Sequence, residues 1–275
     1  MSSKLTLETI SDGLRKIAVP SPTLPPATHT NSWILGKDGD CIIVDPAGHI
    51  PIVQQAHIEL LKKISPKAIL LTHHHRDHVA GAKAIQAHFD IPIWAHANNT
   101  SLVKLKINRF LTDNEFLKFD GREWRILFTP GHAPGHIALL DRKNRHCICG
   151  DLVAGVGTIV LNPPEGDLSQ YLSSLQRLID ENVTCLHPAH GPSIKNAISY
   201  LQHYIDHRNH RTAQMKNCLS QKPITVLEIA NQIYPEHIGT PVLAIAGRQI
   251  CCHLEWLKSE GQAIETDSGW ICTPD

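Results

Sequence analysis

The chain has 275 residues, 42% hydrophobic and 19% charged, enough for one large globular domain and a small companion. Its 26 Lys and Arg balance its 26 Asp and Glu, so no global basic field recommends a nucleic acid or an anionic membrane, although a local basic groove would escape this count. No stretch approaches the roughly 20 apolar residues that cross a bilayer, and Met1 to Leu14 lacks the apolar core of a secretory leader. The eight cysteines, Cys147/Cys149 and Cys251/Cys252 among them, read as small buried hydrophobes and not as a disulfide framework. Together these features lead us to expect a cytoplasmic protein with reduced thiols, a mitochondrial address being left open.

In chain order, short apolar runs alternate with helical spacing. Cys41–Val44, Ala68–Leu71, Ile91–Trp94, Trp124–Phe128 and Val183–Leu186 read as buried strands. Ile52–Ile64, Val79–Phe89 and Ser169–Ile179 carry apolar residues at helical intervals, so the class is α/β and layered. A long polar helix rich in His and Arg follows from about Ala197 to Leu219, ending at the Gln221-Lys222-Pro223 turn. Beyond it, Thr225–Ile233 is one helix. Thr240 can cap another, with Pro241 at its first position. Ala263–Glu265 and Trp270–Cys272 then form a hairpin around Asp267-Ser268-Gly269. The division expected is a catalytic-type domain over 1–200, a linking helix over 201–221 and a winged-helix-like domain over 222–275; a helical cap on the main core fits the same pattern.

The sharpest local signal is Thr72-His-His-His-Arg-Asp-His78, directly after the strand Ala68–Leu71. Alternate residues of an extended chain point the same way, so His73 and His75 converge while His74 faces elsewhere. A turn through Arg76 lets Asp77 and His78 reach a second point nearby. Imidazole and carboxylate suit zinc, and so many polar groups in six residues would be costly as mere core. Three further strands deliver one candidate ligand each at their C-terminal ends: His132 in Thr129-Pro-Gly-His132, Asp151 after Gly150, and His190 in His187-Pro-Ala-His190. One such histidine alone would read as structural. Four deliveries together make a site.

The series His73-x-His75-x-Asp77-His78, His132, Asp151 and His190 resembles the metallo-β-lactamase superfamily over about residues 30–200. That resemblance implies an αββα sandwich with two zinc ions at one edge, manganese or iron(II) fitting the same donors. One ion would take His73, His75 and His132, the other Asp77, His78 and His190, with Asp151 bridging. A hydroxide shared by the metals would be the nucleophile, and Asp77 would orient it or accept its proton. Asp45, in Val44-Asp-Pro-Ala-Gly48, resembles the superfamily's early Asp-x-Gly turn with one extra residue and is expected to support the ligands. His136 and His187 are expected to pack or hydrogen-bond, and His74 is open to either role.

Substrate is harder to read, because members of one fold cleave β-lactams, thioesters and phosphodiesters. The β-lactam-cleaving branch has a cysteine ligand that this series lacks. The His-His-His-x-Asp-His string is shared with glyoxalase-II-like thioesterases. Asp151-Leu-Val-Ala-Gly-Val-Gly157, Leu186-His-Pro-Ala-His-Gly-Pro192 and His207-Arg-Asn-His-Arg211 are similar to the β-lactamase-like protein 2 family. That family ends in a winged-helix-like domain, and its animal members are endoribonucleases of single-stranded RNA. The expected substrate is therefore single-stranded RNA, with a small ester or thioester as the alternative. RNA cleavage needs a basic or stacking track beside the metals, and Arg208 and Arg211, three apart on one side of the long helix, are the candidates for packing or phosphate contact. The C-terminal segment offers only Arg248 and Lys258 between Glu236 and its end, so it reads as a lid or a homodimer surface and not as a duplex reader. A non-catalytic binding protein is disfavoured by the intact ligand series.

Overall fold

A strand that is apolar on both faces needs cover on both, and this chain supplies it with two stacked sheets and helices on each outer face. The computed structural model describes residues 5–274; residues 1–4 and 275, with the two extreme ends of the expected domain division, lie outside it. The first sheet contains β1 (Leu7–Ser11), β2 (Leu14–Pro20), β3 (His29–Lys37), β4 (Asp40–Val44), β5 (Ile69–Leu70), β6 (Ile93–His96) and β7 (Arg109–Leu111), in that spatial order. Neighbours from β1 to β4 are antiparallel. From β4 to β7 they are parallel, and the crossovers carry α1 (Pro51–Leu61), α2 (Arg76–Val79) and α3 (Ala82–Phe89). The second sheet has β8 (Phe116–Phe119), β9 (Arg122–Phe128), β10 (Ile137–Asp141), β11 (His146–Gly150) and, after α4 (Leu168–Asp180), β12 (Cys185–Pro188). Its order is β12-β11-β10-β9-β8. Because β10 is antiparallel to both β9 and β11, and β12 is parallel to β11, the strands β9, β11 and β12 all run toward one edge.

Side-chain alternation divides the core accordingly. Ile42, Val44 and Leu70 point between the sheets against Trp124, Ile126 and Ile148. Cys41, Ile43, Ile69 and Leu71 face the other way and meet Val53, Leu61 and Ile85 of the helices. On the far side Cys147, Cys149 and Leu186 pack on Leu175 and Leu201. This is the αββα sandwich that the sequence resemblance implied.

The long helix α5 (Ala197–Cys218) belongs to two cores. Its first half, through Leu201 and Tyr204, closes the sandwich. Its second half, through Met215, joins α6 (Val226–Ile233), α7 (Pro241–Ser259) and the hairpin β13 (Ala263–Thr266) with β14 (Gly269–Cys272) around Ile229, Ile250, Leu254 and Trp270. Thr225 forms a reciprocal cap with Glu228 at the start of α6. None of the described helices is long and apolar enough to cross a membrane, and all eight cysteines are free.

Three expectations need correction. The helix expected over Val79–Phe89 is two helices, broken at Ala80 and Gly81. The Gly81 N–H donates to the Pro46 carbonyl at 2.8 Å, and a Cβ there would lie 2.4–2.5 Å from the Ala47 and Pro46 carbonyl oxygens. The break therefore follows from how closely the ligand loop passes the turn after β4. Thr240 precedes α7 but does not cap it with its side chain; its hydroxyl donates back to the His237 carbonyl at 2.7 Å. Strands β1 to β3, β7, β8 and β10 were not anticipated.

His57 of α1 is fully buried, with no hydrogen-bond partner for either ring nitrogen. Burial pushes its pKa down to about 4. The unfolded chain therefore takes a proton that the native state refuses, and stability falls as pH drops from the ordinary histidine value toward 4. Across that window the penalty is on the order of 3 kcal/mol. His57→Leu should leave stability near pH 7.5 little changed and gain most of that amount near pH 4.5, as read by denaturant unfolding. Equal pH dependence in the two proteins would contradict the assignment.

Candidate metal centre

The edge where β5, β9, β11 and β12 end collects all seven predicted ligands. The turn after β5 presents His73 and His75, and the single-turn helix α2 lifts Asp77 and His78. His132 follows β9, Asp151 follows β11 and His190 follows β12. Their donor atoms fall into neighbouring sets: His73, His75 and His132; Asp77, His78 and His190; and His73, His78 and Asp151, which spans the other two. In the first set the His75 Nδ1 lies 3.0 Å from the His73 Nε2 and 2.9 Å from the His132 Nε2. In the second, the His190 Nε2 lies 3.4 Å from Asp77 Oδ2 and 3.3 Å from Asp151 Oδ1. Asp151 divides its oxygens, Oδ1 standing 3.4 Å from the His78 Nε2 and Oδ2 3.6 Å from the His132 Nε2.

What makes this a cation site is the direction of the rings. The His132 Nδ1–H donates to the Val160 carbonyl at 2.9 Å and the His190 Nδ1–H to the His29 carbonyl at 3.0 Å. The His78 Nδ1–H donates to Asp45 Oδ2 at 2.9 Å. His73 uses Nδ1 toward the Thr72 hydroxyl at 3.0 Å, and that hydroxyl gives its own proton to Asp45 at 2.7 Å. A carbonyl or carboxylate can only accept, so each outer nitrogen carries a ring proton and each Nε2 is aimed inward, where it can offer its lone pair to a cation. The Nε2 of His78 and the Oδ1 of Asp151 are buried without a hydrogen-bond partner. Converging lone pairs and carboxylate oxygens repel one another unless positive charge stands among them. The donor set fits divalent metal ions, with nitrogen and oxygen ligands of the kind zinc takes.

The electrostatics agree. Burial, and then the neighbouring imidazoles, hold His73 well below its ordinary pKa. Burial likewise takes His75 down to about 3 and His132 to about 4. Burial works the same way on His190, but the Asp151 and Asp77 carboxylates override it and lift this ring to about 10. The carboxylates raise His78 in the same way, so in the second set protons stand on the rings where a cation would displace them.

Supporting contacts explain the local sequence. Asp45 lies just past β4 and accepts from the Thr72 N–H, the Thr72 hydroxyl and the His78 ring. One carboxylate therefore fixes a ligand of each set, His78 directly and His73 through Thr72. His136 is buried; its Nε2 accepts from the Asp151 N–H at 3.1 Å and its Nδ1 pairs with the Thr129 hydroxyl at 2.8 Å. Gly150 allows this approach: a Cβ there would lie 2.5 Å from the His136 Nε2, and its φ of +49° is left-handed. His74 turns away to Glu165 at 3.0 Å, and the same carboxylate stands 3.5 Å from the His75 Nε2. His187 lies outside the cluster, between Ser193 and His146. The accepting carbonyls of Val160 and His29 carried no sequence signal, because a backbone acceptor has none, and Glu165 is missed because it lies 91 residues from His74 in the chain.

Above the ligands opens a cavity of about 250 Å³, walled by Pro22, Leu24, Val156 and Ile159, with Arg248 of α7 on its rim. Arg208 and Arg211 do not reach it. Arg208 is only 3% exposed and gives its Nη2–H to the Ile159 carbonyl at 2.6 Å, holding the cavity wall from behind. Arg211 lies half-buried one turn further on.

Asp45→Asn puts an amide N–H₂ against groups that already donate, so both rings should lose their set. The variant should bind metal about 10–100-fold more weakly in chelator competition. Wild-type affinity would remove Asp45 from the account.

Residues 25–190, more than half of the chain, match the Metallo-beta-lactamase superfamily. A Beta-lactamase-like protein 2 homolog of Caenorhabditis elegans is 29% identical over 241 residues, 84% of this chain and 79% of the relative. A Hydroxyacylglutathione hydrolase of Edwardsiella ictaluri is 34% identical over 169 residues, 59% of this chain and 62% of that enzyme. Among solved structures, a metallo-beta-lactamase family protein of Thermus thermophilus superposes with a TM-score of 0.81 at 22% identity, over 96% of this chain and all of the other. Site, fold and sequence agree: the chain belongs to the metallo-beta-lactamase superfamily of metal-dependent hydrolases.

Proposed function

We propose that the chain hydrolyses phosphodiester bonds, with single-stranded RNA as substrate, at two divalent cations, zinc by the donor set, manganese or iron(II) being able to replace it. The observation that carries this reading is Arg248. It is the one guanidinium on the metal cavity, it is exposed, and no carboxylate of the described residues pairs with it. A phosphodiester brings a negative charge to the reacting centre itself, which such a cation neutralises; a thioester group is neutral. The breadth of the likeness to β-lactamase-like protein 2 homologs supports the same choice, since it runs over 84–85% of the chain against 59% for the hydroxyacylglutathione hydrolase.

When bound, the cations supply a water ionised near neutral pH and polarise the scissile group. Asp77 is the chain's own base. Burial alone would raise its pKa, but His78 and His190 hold it below the ordinary carboxylate value. It is therefore ionised at neutral pH and can take the proton of the attacking water on its carboxylate. Asp45 and His136 keep the ligands from turning, and the apolar walls at Leu24, Val156 and Ile159 limit access of bulk water. Arg248 draws the phosphate into the cavity and holds it against the ligands.

Asp77→Asn should fold as the wild type and lose turnover by on the order of 10²–10⁴-fold; near-normal turnover would end its role as base. Arg248→Gln should raise KM for an anionic substrate about tenfold with little change in kcat. The deciding assay compares single-stranded RNA, bis-p-nitrophenyl phosphate and S-lactoylglutathione on the metal-loaded protein. Turnover of the two phosphodiesters is expected. Turnover of the thioester alone would replace this reading with the thioesterase one, which the 34% identity to hydroxyacylglutathione hydrolase favours.

A further inference from the structure

Behind the wall of the metal cavity, between α5 and the C-terminal helices, lies a second cavity of about 270 Å³. Thr158 lines both cavities, so only the loop through Thr158 and Ile159 separates them. Its lining includes Arg208, Arg211, His207, His253 and Tyr234, and no acidic residue. Arg208 is buried, gives one N–H to the Ile159 carbonyl and stacks 5.3 Å over the Tyr171 ring. Arg211 gives one N–H to Gln214 at 2.9 Å and stacks 4.6 Å over the Tyr234 ring. The Nε of each is buried with no hydrogen-bond partner. Among the described residues neither guanidinium has a carboxylate within 4.0 Å; nearby Glu236 faces His237 at 3.5 Å.

Buried charges are ordinarily paired, because leaving water costs more than a carbonyl or a ring face returns. Two guanidinium groups with dipolar partners and no counter-charge therefore set up a positive potential inside this cavity. Burial, then the field of these arginines, pushes His253 down to about 3, and His207 is shifted the same way. Val242, Ile245 and Ala246 make the remaining wall apolar. The room suits an oxyanion attached to something less polar. Arg248 and Gln249, successive residues of α7, line the metal cavity and this one respectively, so the two cavities are neighbours along that helix.

We propose that this second cavity is a phosphate subsite, holding a backbone phosphate of a single-stranded RNA away from the bond that is cut. It rests on the phosphodiesterase reading above for its ligand, but binding and cleavage can be tested apart. Arg211 is the residue to change, because it is half-buried and Arg208 also anchors the cavity wall. In the metal-loaded protein, Arg211→Gln should raise KM for a single-stranded oligoribonucleotide about tenfold, lower the salt dependence of binding by about one unit of slope, and leave turnover of bis-p-nitrophenyl phosphate unchanged. Arg211→Lys should recover part of the affinity.

Binding is read independently of cleavage by fluorescence anisotropy of the oligonucleotide on the Asp77→Asn background. Arg211-dependent binding there supports the subsite even if the wild type cuts no RNA, an outcome that would overturn the phosphodiesterase reading alone. RNA cleavage with binding and salt dependence indifferent to Arg211→Gln, and unaltered thermal unfolding, would overturn the subsite alone. Inorganic phosphate, titrated calorimetrically, should bind far more weakly than the oligonucleotide. Equal, Arg211-dependent affinity would mark a site for free phosphate and overturn the proposal.

Discussion

One buried carboxylate holds the ligand geometry of this edge. Asp45 receives two protons from Thr72 and one from His78, and through the Thr72 hydroxyl it also fixes His73. Each of the two ligand sets proposed to hold a cation therefore has a histidine whose orientation depends on it. Without an acceptor at Nδ1 the ring could carry its proton on Nε2 instead, or turn a C–H inward, and neither offers a lone pair to a cation. The carbonyls of Val160 and His29 perform the same service for His132 and His190. The inward lone pairs are thus a product of the surrounding fold: two sheets stacked so that the ends of β4, β5, β9, β11 and β12 meet.

Charge is handled differently on the two sides of the loop through Thr158 and Ile159. On the ligand side, carboxylates and imidazoles are concentrated and leave a strong demand for positive charge. On the other side, Arg208 and Arg211 stand without carboxylates and leave a demand for negative charge. Ile159 takes part in both, its carbonyl held by Arg208 at 2.6 Å and by Gln249 at 2.8 Å. The C-terminal helices are consequently not a detached appendage to the site. Through Gln249 and Arg248 they help to shape the wall of the metal cavity and place a cation on its rim.

The strands buried on both faces were the plainest in the sequence, because Cys41–Val44 and Ala68–Leu71 are apolar throughout and need neighbours on either side. The ligands were legible for a related reason: His and Asp at strand ends have no structural purpose that offsets the cost of so many buried polar atoms. Strand β3 was hidden by its own function. Its buried Thr30, Asn31 and Ser32 break the apolar pattern, yet Asn31 donates to the carbonyls of Pro188 and Gly191 and Ser32 to that of Asp45. They tie β3 to the ligand loops, and such partners lie more than 150 residues away or across a hairpin. The break at Gly81 and the environment of Arg208 were hidden likewise. Helical spacing reports which side of a helix is apolar; it does not report that another loop needs room, or that an arginine turns inward to reach a carbonyl.

The central claim is that the sandwich edge is built for two cations sharing Asp151. The measurement that addresses it most directly is anomalous diffraction from crystals of the zinc-loaded protein. The account predicts two peaks per chain, one within bonding distance of His73, His75 and His132, the other of Asp77, His78 and His190, with one Asp151 oxygen turned to each. A single peak, or metal held without Asp151, would contradict it.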